Sequence, residues 1–379
     1  MHFFKSIAVA ALAVSIPACT PSDTGETAPS FEERVEQATE DIAQPERSAE
    51  AEWLDDQFFD IGSRFDGFVG ISMHDLATGE TVDFNGGEYF PQQSVSKLWV
   101  ALTAFRMVDA GELDLAENRT IRFEDIAVFH SPIRKPVIAR GSFTTDYADL
   151  IERAITESDN TANDLVLRRV GGPDAIRRQL SALGIEGIRF GPGERAMQSA
   201  IAGLEWDQSY ARGKVFFEVR EEVPDDVRAR AFNAYATDPV DGAQPDAIAL
   251  ALARLADGRL LSDAMTSRYL ELLGEVKSGP NRLKGAVPPG WRIGHKTGTG
   301  QVFDPDPPGG FAEQAGYNDV GILTAPDGSV YSVAVMIGRT ARPVPERMVM
   351  MHRVVAAIVG YHEMKKVPEE DTAAGETTS

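Results

Sequence analysis

Cysteine is almost absent from this chain. Its single representative is Cys19, so no disulfide can form within the molecule and the fold must hold by packing. Metal-ligand clusters are missing too. The six histidines, His2, His74, His130, His295, His352 and His362, are scattered, none in an H-E-x-x-H or H-x-H spacing, which leaves a zinc site without support. Basic residues are few: 37 Lys and Arg against 58 Asp and Glu give a net charge of −21. That balance argues against nucleic acid or an anionic membrane face as partner, since both require a basic surface. No internal repeat is visible. Hydrophobic residues make up 43% of the 379, enough for a sizeable core in one large domain or two small ones.

The N-terminus accounts for the cysteine. Met1-His2-Phe3-Phe4-Lys5 is a short basic start, Ile7 to Ile16 is an apolar run, and Ile16-Pro17-Ala18-Cys19 closes it. The run is too short to span a bilayer and reads as a secretory signal over residues 1–19. The closing residues resemble a bacterial lipobox, in which Cys19 becomes the lipidated first residue. That implies a periplasmic protein whose only membrane contact is its anchor, with Thr20 favouring the outer membrane over the inner. Residues 20–52 hold ten acidic and two basic residues and little to bury, as expected of a disordered tether. Residues 365–379 read as a disordered tail by the same argument.

Between them lies a globular region, 53–364. Phe68–Met73 and Thr81–Phe84 read as a hairpin around Ala77-Thr78-Gly79-Glu80. A helix is expected from Ser94 to Ala110, stopped by Gly111. The middle, about 112–262, is helical in pattern. Strand-like runs at 291–297, 318–323 and 330–337 and a helix at 347–359 follow. Strands at both ends with helices between them predict an α+β fold: an antiparallel sheet built from both chain ends and flanked by helices, with an inserted all-helical lobe and a site in the cleft between. A monomer is expected.

Three short strings carry the chemistry: Ser94-Val95-Ser96-Lys97, Ser158-Asp159-Asn160 and Lys296-Thr297-Gly298. An S-x-x-K alone is weak; followed in order by SDN and KTG it forms the set found in class A β-lactamases and penicillin-binding proteins. Ser94 and Lys97 are three apart at a helix start, which places both side chains on one face. A serine hydroxyl needs such a neighbour to take its proton.

From 67 to 360 the chain resembles a class A β-lactamase. The likeness is carried by Phe90-Pro91-Gln92-Gln93-Ser94, by Glu157-Ser158-Asp159-Asn160-Thr161-Ala162-Asn163-Asp164-Leu165, and by Gly294-His295-Lys296-Thr297-Gly298-Thr299-Gly300. It implies that Ser94 is the nucleophile, Lys97 a proton acceptor or relay, and Ser158 the proton donor to the leaving nitrogen. Asn160 would hold the substrate amide, Lys296 and Thr297 would meet the substrate carboxylate, and Gly298 and Thr299 would also belong to the substrate-binding residues. Backbone N–H groups of Ser94 and Thr299 would form the oxyanion hole. No cofactor is implied. Glu194, at 194 − 160 = 34 residues past Asn160, matches the family's deacylating glutamate, with Gln198 beside it to hold the water. His130 stands where an aromatic usually lines the cleft mouth, and Arg339 and Arg342 are candidates for a second carboxylate contact.

The chain departs from the family pattern around Glu194. Arg195 stands where proline is usual, Gln198 where asparagine is, and Pro192 where an arginine usually clamps the loop. Roughly 30 extra residues fall between 203 and 240, long for a connecting segment; they form either a lid on the cleft or a surface excursion remote from it. The leading expectation is therefore a serine β-lactamase acting on β-lactams. The alternatives are a D-Ala-D-Ala peptidase or esterase acting on peptidoglycan-like substrates, or a catalytically slow envelope protein of the same fold.

Overall fold

A computed structural model describes residues 47–304 and 312–366. The leader with Cys19, most of the acidic tether and nearly all of the tail lie outside the described residues. Helix α1 (Ala49–Ser63) crosses the boundary at 52/53 suggested by composition. Ser48 caps it by accepting from the Ala51 N–H at 3.2 Å, and Ala51, Leu54, Phe58 and Ile61 bury an apolar stripe that the acidic neighbours obscure.

The sheet contains β1 (Phe68–Asp75), β2 (Thr81–Phe84), β3 (Arg292–Thr299), β4 (Glu313–Thr324) and β5 (Val330–Thr340). Their order is β2-β1-β5-β4-β3, all antiparallel, with a two-residue strand, Val302–Phe303, added on β4. Strands from both halves of the sequence thus interleave: Ile71 of β1 faces Val335 of β5.

Side-chain alternation along β5 divides the core. Val333, Val335 and Ile337 pack toward α1 and the last helix (Val344–Lys365), with Leu54, Phe58, Val354 and Ile358. Ala334 and Met336 face the helical lobe, with Leu98, Val166, Leu252 and Leu273. Helix α2 (Lys97–Asp109) runs through that second core and buries Lys97, Leu98, Trp99, Val100 and Ala101. It is preceded by a single 3-10 turn, Gln93–Ser96, so Ser94 sits on the turn and not in the helix proper. Helix α3 (Asn160–Arg169) follows the SDN string.

The extra segment 203–240 is ordered. It holds a 3-10 turn at Gln208–Ala211 and two helices, α5 (Val215–Glu222) and α6 (Asp225–Thr237), after the short α4 (Glu194–Ile201). Phe232, Tyr235 and Ala236 of α6 bury against Met197, Ile201 and Ala315. The insertion is therefore packed on the helix that begins at Glu194.

Candidate active site

Three backbone features aim the motif side chains. Gln93, just before Ser94, has φ +54°, and Ser158 has φ +60°, a left-handed conformation that costs a non-glycine residue roughly 1–3 kcal/mol. Ser158 ends a one-turn π-helix, Arg153–Glu157. Asp159 then turns inward and caps α3, accepting from the N–H groups of Thr161 and Ala162 at 2.8 and 3.0 Å and from Ile133 N–H at 2.7 Å. The aspartate of SDN thus ties the His130–Ile133 loop to the helix, leaving Ser158 and Asn160 to face the cleft. Gly298 is needed for close approach: a Cβ there would lie 2.3 Å from the Gln92 carbonyl oxygen, so only glycine lets β3 reach the nucleophile's turn.

These side chains converge. Lys97 Nζ donates to Ser94 Oγ at 2.7 Å and to Asn160 Oδ1 at 2.9 Å, and forms a buried ion pair with the Glu194 carboxylate. Lys296 Nζ donates to Ser158 Oγ at 3.0 Å. Burial, followed by the neighbouring Lys97 ammonium, holds the Lys296 pKa well below that of an ordinary lysine. Glu194 and Gln198 are i and i+4 on α4, not members of an open loop, and share a face; Gln198 Nε2 donates to Glu194 Oε2 at 3.3 Å.

A cleft of about 530 Å³ lies over this cluster. Ser94, Ser158, Asn160 and Glu194 open onto it, as do Gln198, Thr297 and Thr299, with His130 exposed at the mouth. Lys97 and Lys296 reach their serines from behind. Gly298 does not line the cleft. Its contribution is steric, and its carbonyl accepts from Arg282 Nη1 at 2.9 Å.

The two arginines expected beside the substrate carboxylate are engaged elsewhere: Arg339 pairs with Glu313 at 2.9 Å and Arg342 with Glu346 at 2.7 Å. Arg282 instead lies beside the Gly298–Thr299 end of β3. It is buried, lies 3.8 Å from the Tyr317 ring centroid and donates to the Thr299 hydroxyl. Sequence reasoning also missed Ser278, whose hydroxyl is 2.7 Å from that of Thr297.

A further network braces the turn that carries Ser94. The Gln93 N–H donates to Asp241 Oδ2 at 2.8 Å, Gln93 Nε2 donates to the Tyr235 hydroxyl, and Gln93 Oε1 accepts from Gln198 at 2.8 Å. Burial pushes the Asp241 carboxyl up to about 7, and the Tyr235 hydroxyl is also raised, chiefly by burial. Through Tyr235 the insertion touches the residue next to Ser94. The clamp expected to be missing, because Pro192 replaces an arginine, has a substitute. Arg195 donates to the Glu124 carbonyl at 3.0 Å and lies 5.5 Å from the Trp206 ring, while Asp164 accepts from the Glu194 N–H at 3.1 Å.

With this geometry in view, the likeness to known proteins is informative. A profile of the β-lactamase enzyme family matches residues 53–362. The chain is 28% identical to the extended-spectrum β-lactamase PER-1 of Pseudomonas aeruginosa over 78% of its own length and 83% of that protein's. A β-lactamase structure from Chitinophaga pinensis superposes with a TM-score of 0.66 at 24% identity, covering 82% of this chain and 99% of that one. An ancestral (GNCA) class A β-lactamase matches at 27% identity with a TM-score of 0.61, over 81% and 99% of the two chains.

Proposed function

The chain belongs to the β-lactamase enzyme family, as a class A serine hydrolase of β-lactam amides, and from that premise we propose that it opens the ring through an acyl-enzyme on Ser94 which water activated by Glu194 then releases. The observation carrying this reading is the buried Lys97 Nζ, bonded at once to Ser94 Oγ, Asn160 Oδ1 and the Glu194 carboxylate.

Ser94 Oγ forms the bond to the lactam carbonyl carbon, and its proton passes to the Lys97–Glu194 pair. Backbone N–H groups of Ser94 and Thr299 receive the developing oxyanion. The C–N bond then breaks, its nitrogen takes the proton of Ser158, which Lys296 holds at 3.0 Å, and the proton stored on the Lys97–Glu194 pair is relayed to Ser158, so that Glu194 is again free to act as a base. In the second half, Glu194 takes a proton from a water supported by Gln198, the hydroxide attacks the ester, the ester C–O bond breaks, and the Ser94 oxygen takes that proton back from Glu194 by way of Lys97. Thr297, Thr299 and Lys296, with Arg282 behind, form the end that suits the ring carboxylate. The placement proposed for the enzyme, held at the cell envelope by lipid on Cys19, rests on the leader alone.

The purified protein from Thr20 on should turn over a chromogenic cephalosporin many times per molecule and leave little adduct in intact mass. One equivalent of stable adduct would instead favour a penicillin-recognising peptidase-like protein. The reaction should also have an early alkaline limit. Lys296 binds a carboxylate only as the ammonium, which exists below its pKa and is lost as pH rises through it. Because that pKa is well below the ordinary 10.5, KM for carboxylate-bearing substrates should climb before pH 10.5. A KM flat to that pH would remove Lys296 from carboxylate binding.

A further inference from the structure

The insertion adds a wall to the cleft, and that wall carries a charge that forms no ion pair among the described residues. Helix α5 is pinned by Phe216, which is buried with Val128 and Ala202 and meets Phe129 and Tyr210 edge-on, at 4.9 and 5.6 Å between ring centroids. Phe217 and Arg220 are three apart, which puts them on one helical face, and both line the cleft. The Arg220 guanidinium lies 5.3 Å from the Phe217 ring centroid.

The carboxylates lining the cleft are balanced. Glu194 pairs with Lys97, and Glu157 with Lys277 at 3.0 Å and Arg153 at 3.6 Å. Arg220 forms no ion pair among the described residues, and its Nε is buried without a hydrogen-bond partner. The charges it senses are Arg228, which repels it, and its sequence neighbour Glu221. Burial lowers its pKa, but a guanidinium starts so high that it stays charged. A partly desolvated cation with an orphaned donor is costly, and an incoming anion offsets that cost.

The position of the wall indicates which part of the substrate it meets. Asn160 Nδ2 donates to the Val128 carbonyl at 3.0 Å, and Phe129 follows directly and packs on α5. The Phe129–Phe217–Arg220 wall therefore adjoins the corner where Asn160 would hold the amide joining the acyl side chain to the lactam ring. The ring carboxylate belongs to Thr297 and Thr299 on β3.

We propose that Arg220 is a specificity-determining residue that binds an anionic group, a carboxylate or sulfonate, on the acyl side chain of the β-lactam, while Phe129 and Phe217 pack against the apolar part of that side chain. The inference rests on the β-lactam reading and narrows it to dianionic substrates, with one charge at each end of the cleft.

Carbenicillin and benzylpenicillin make a suitable pair of probes, since they differ by a single carboxylate on the phenylacetyl group. The wild type and the Arg220→Gln and Arg220→Lys variants would each be compared by kcat/KM and by the second-order rate of Ser94 acylation in intact mass. The ratio of carbenicillin to benzylpenicillin should fall about 10-fold or more in Arg220→Gln. It should recover in part in Arg220→Lys, with the change residing mainly in KM. Raising the salt concentration should lower the ratio in the wild type more than in Arg220→Gln. An unchanged ratio would overturn the proposal, because it would mean the helix wall acts without its charge. Acylation without turnover would count against Glu194 as base yet leave the acylation ratio to decide on Arg220. The absence of both turnover and adduct with either compound would overturn both readings.

Discussion

Replacing Ser94 by alanine should abolish covalent labelling by a fluorescent penicillin and lower turnover by at least ~10⁴-fold. The substitution removes one oxygen whose single side-chain contact is Lys97 Nζ at 2.7 Å. The turn is held by other atoms: the Gln93 N–H on Asp241, Gln92 Nε2 on the carbonyls of Arg189 and Asp241 at 2.8 and 2.6 Å, and Gln92 Oε1 on Trp99 Nε1 at 2.6 Å. The melting temperature should therefore stay close to that of the wild type, which separates loss of the nucleophile from loss of the fold. Persistent labelling of the folded variant would place the nucleophile elsewhere.

Glu194→Gln should divide the reaction in two. Glutamine keeps the length and the hydrogen-bonding reach toward Lys97 and Gln198 but cannot accept a proton from water. Acylation should continue while release slows by roughly 10²- to 10⁴-fold, so that one equivalent of acyl-enzyme accumulates in intact mass. Stability should drop at the same time, because Lys97 is left as a buried ammonium without its counterion. The change also relieves Asp164, whose pKa is pushed up to about 6 by burial first and by the Glu194 charge second. Unchanged turnover would remove Glu194 as the base. Failure to acylate at all would assign the proton from Ser94 to Glu194 as well.

What could be read in the sequence was local. Ser94 and Lys97 are one turn apart, and the Ser158–Asn160 string brings its own helix cap, so spacing alone predicts much of their geometry. The sheet assembled from both chain ends was legible because its strands alternate or run apolar between turn residues. What escaped depends on contacts between distant segments. Gln93, Tyr235 and Asp241 look like ordinary polar residues until tertiary packing buries them together. Arg282 differs from Arg339 and Arg342 only in what lies beside it: Tyr317 and the Thr299 hydroxyl in one case, Glu313 and Glu346 in the others. The motif marked Gly298 as substrate-binding, whereas what the fold shows is a steric demand, 2.3 Å between a Cβ there and a backbone oxygen, that is invisible without tertiary structure. The insertion's two readings were resolved by Phe217 and Arg220, which no motif marks.

The pairing of β1 with β5 sets the order in which this molecule can come into being. Phe68 finds Arg339 as its strand partner only after the chain between them has been made, and α1 waits for the helix that ends at Lys365. Closing so long a loop is slow, and little native sheet is gained before it closes. The Ser94 turn, held on one side by Gly298 and Asn318 of β3 and β4 and on the other by Asp241, has no rigid seat until then. Recovery of activity after denaturation should therefore follow the closing of this sheet and not earlier local structure.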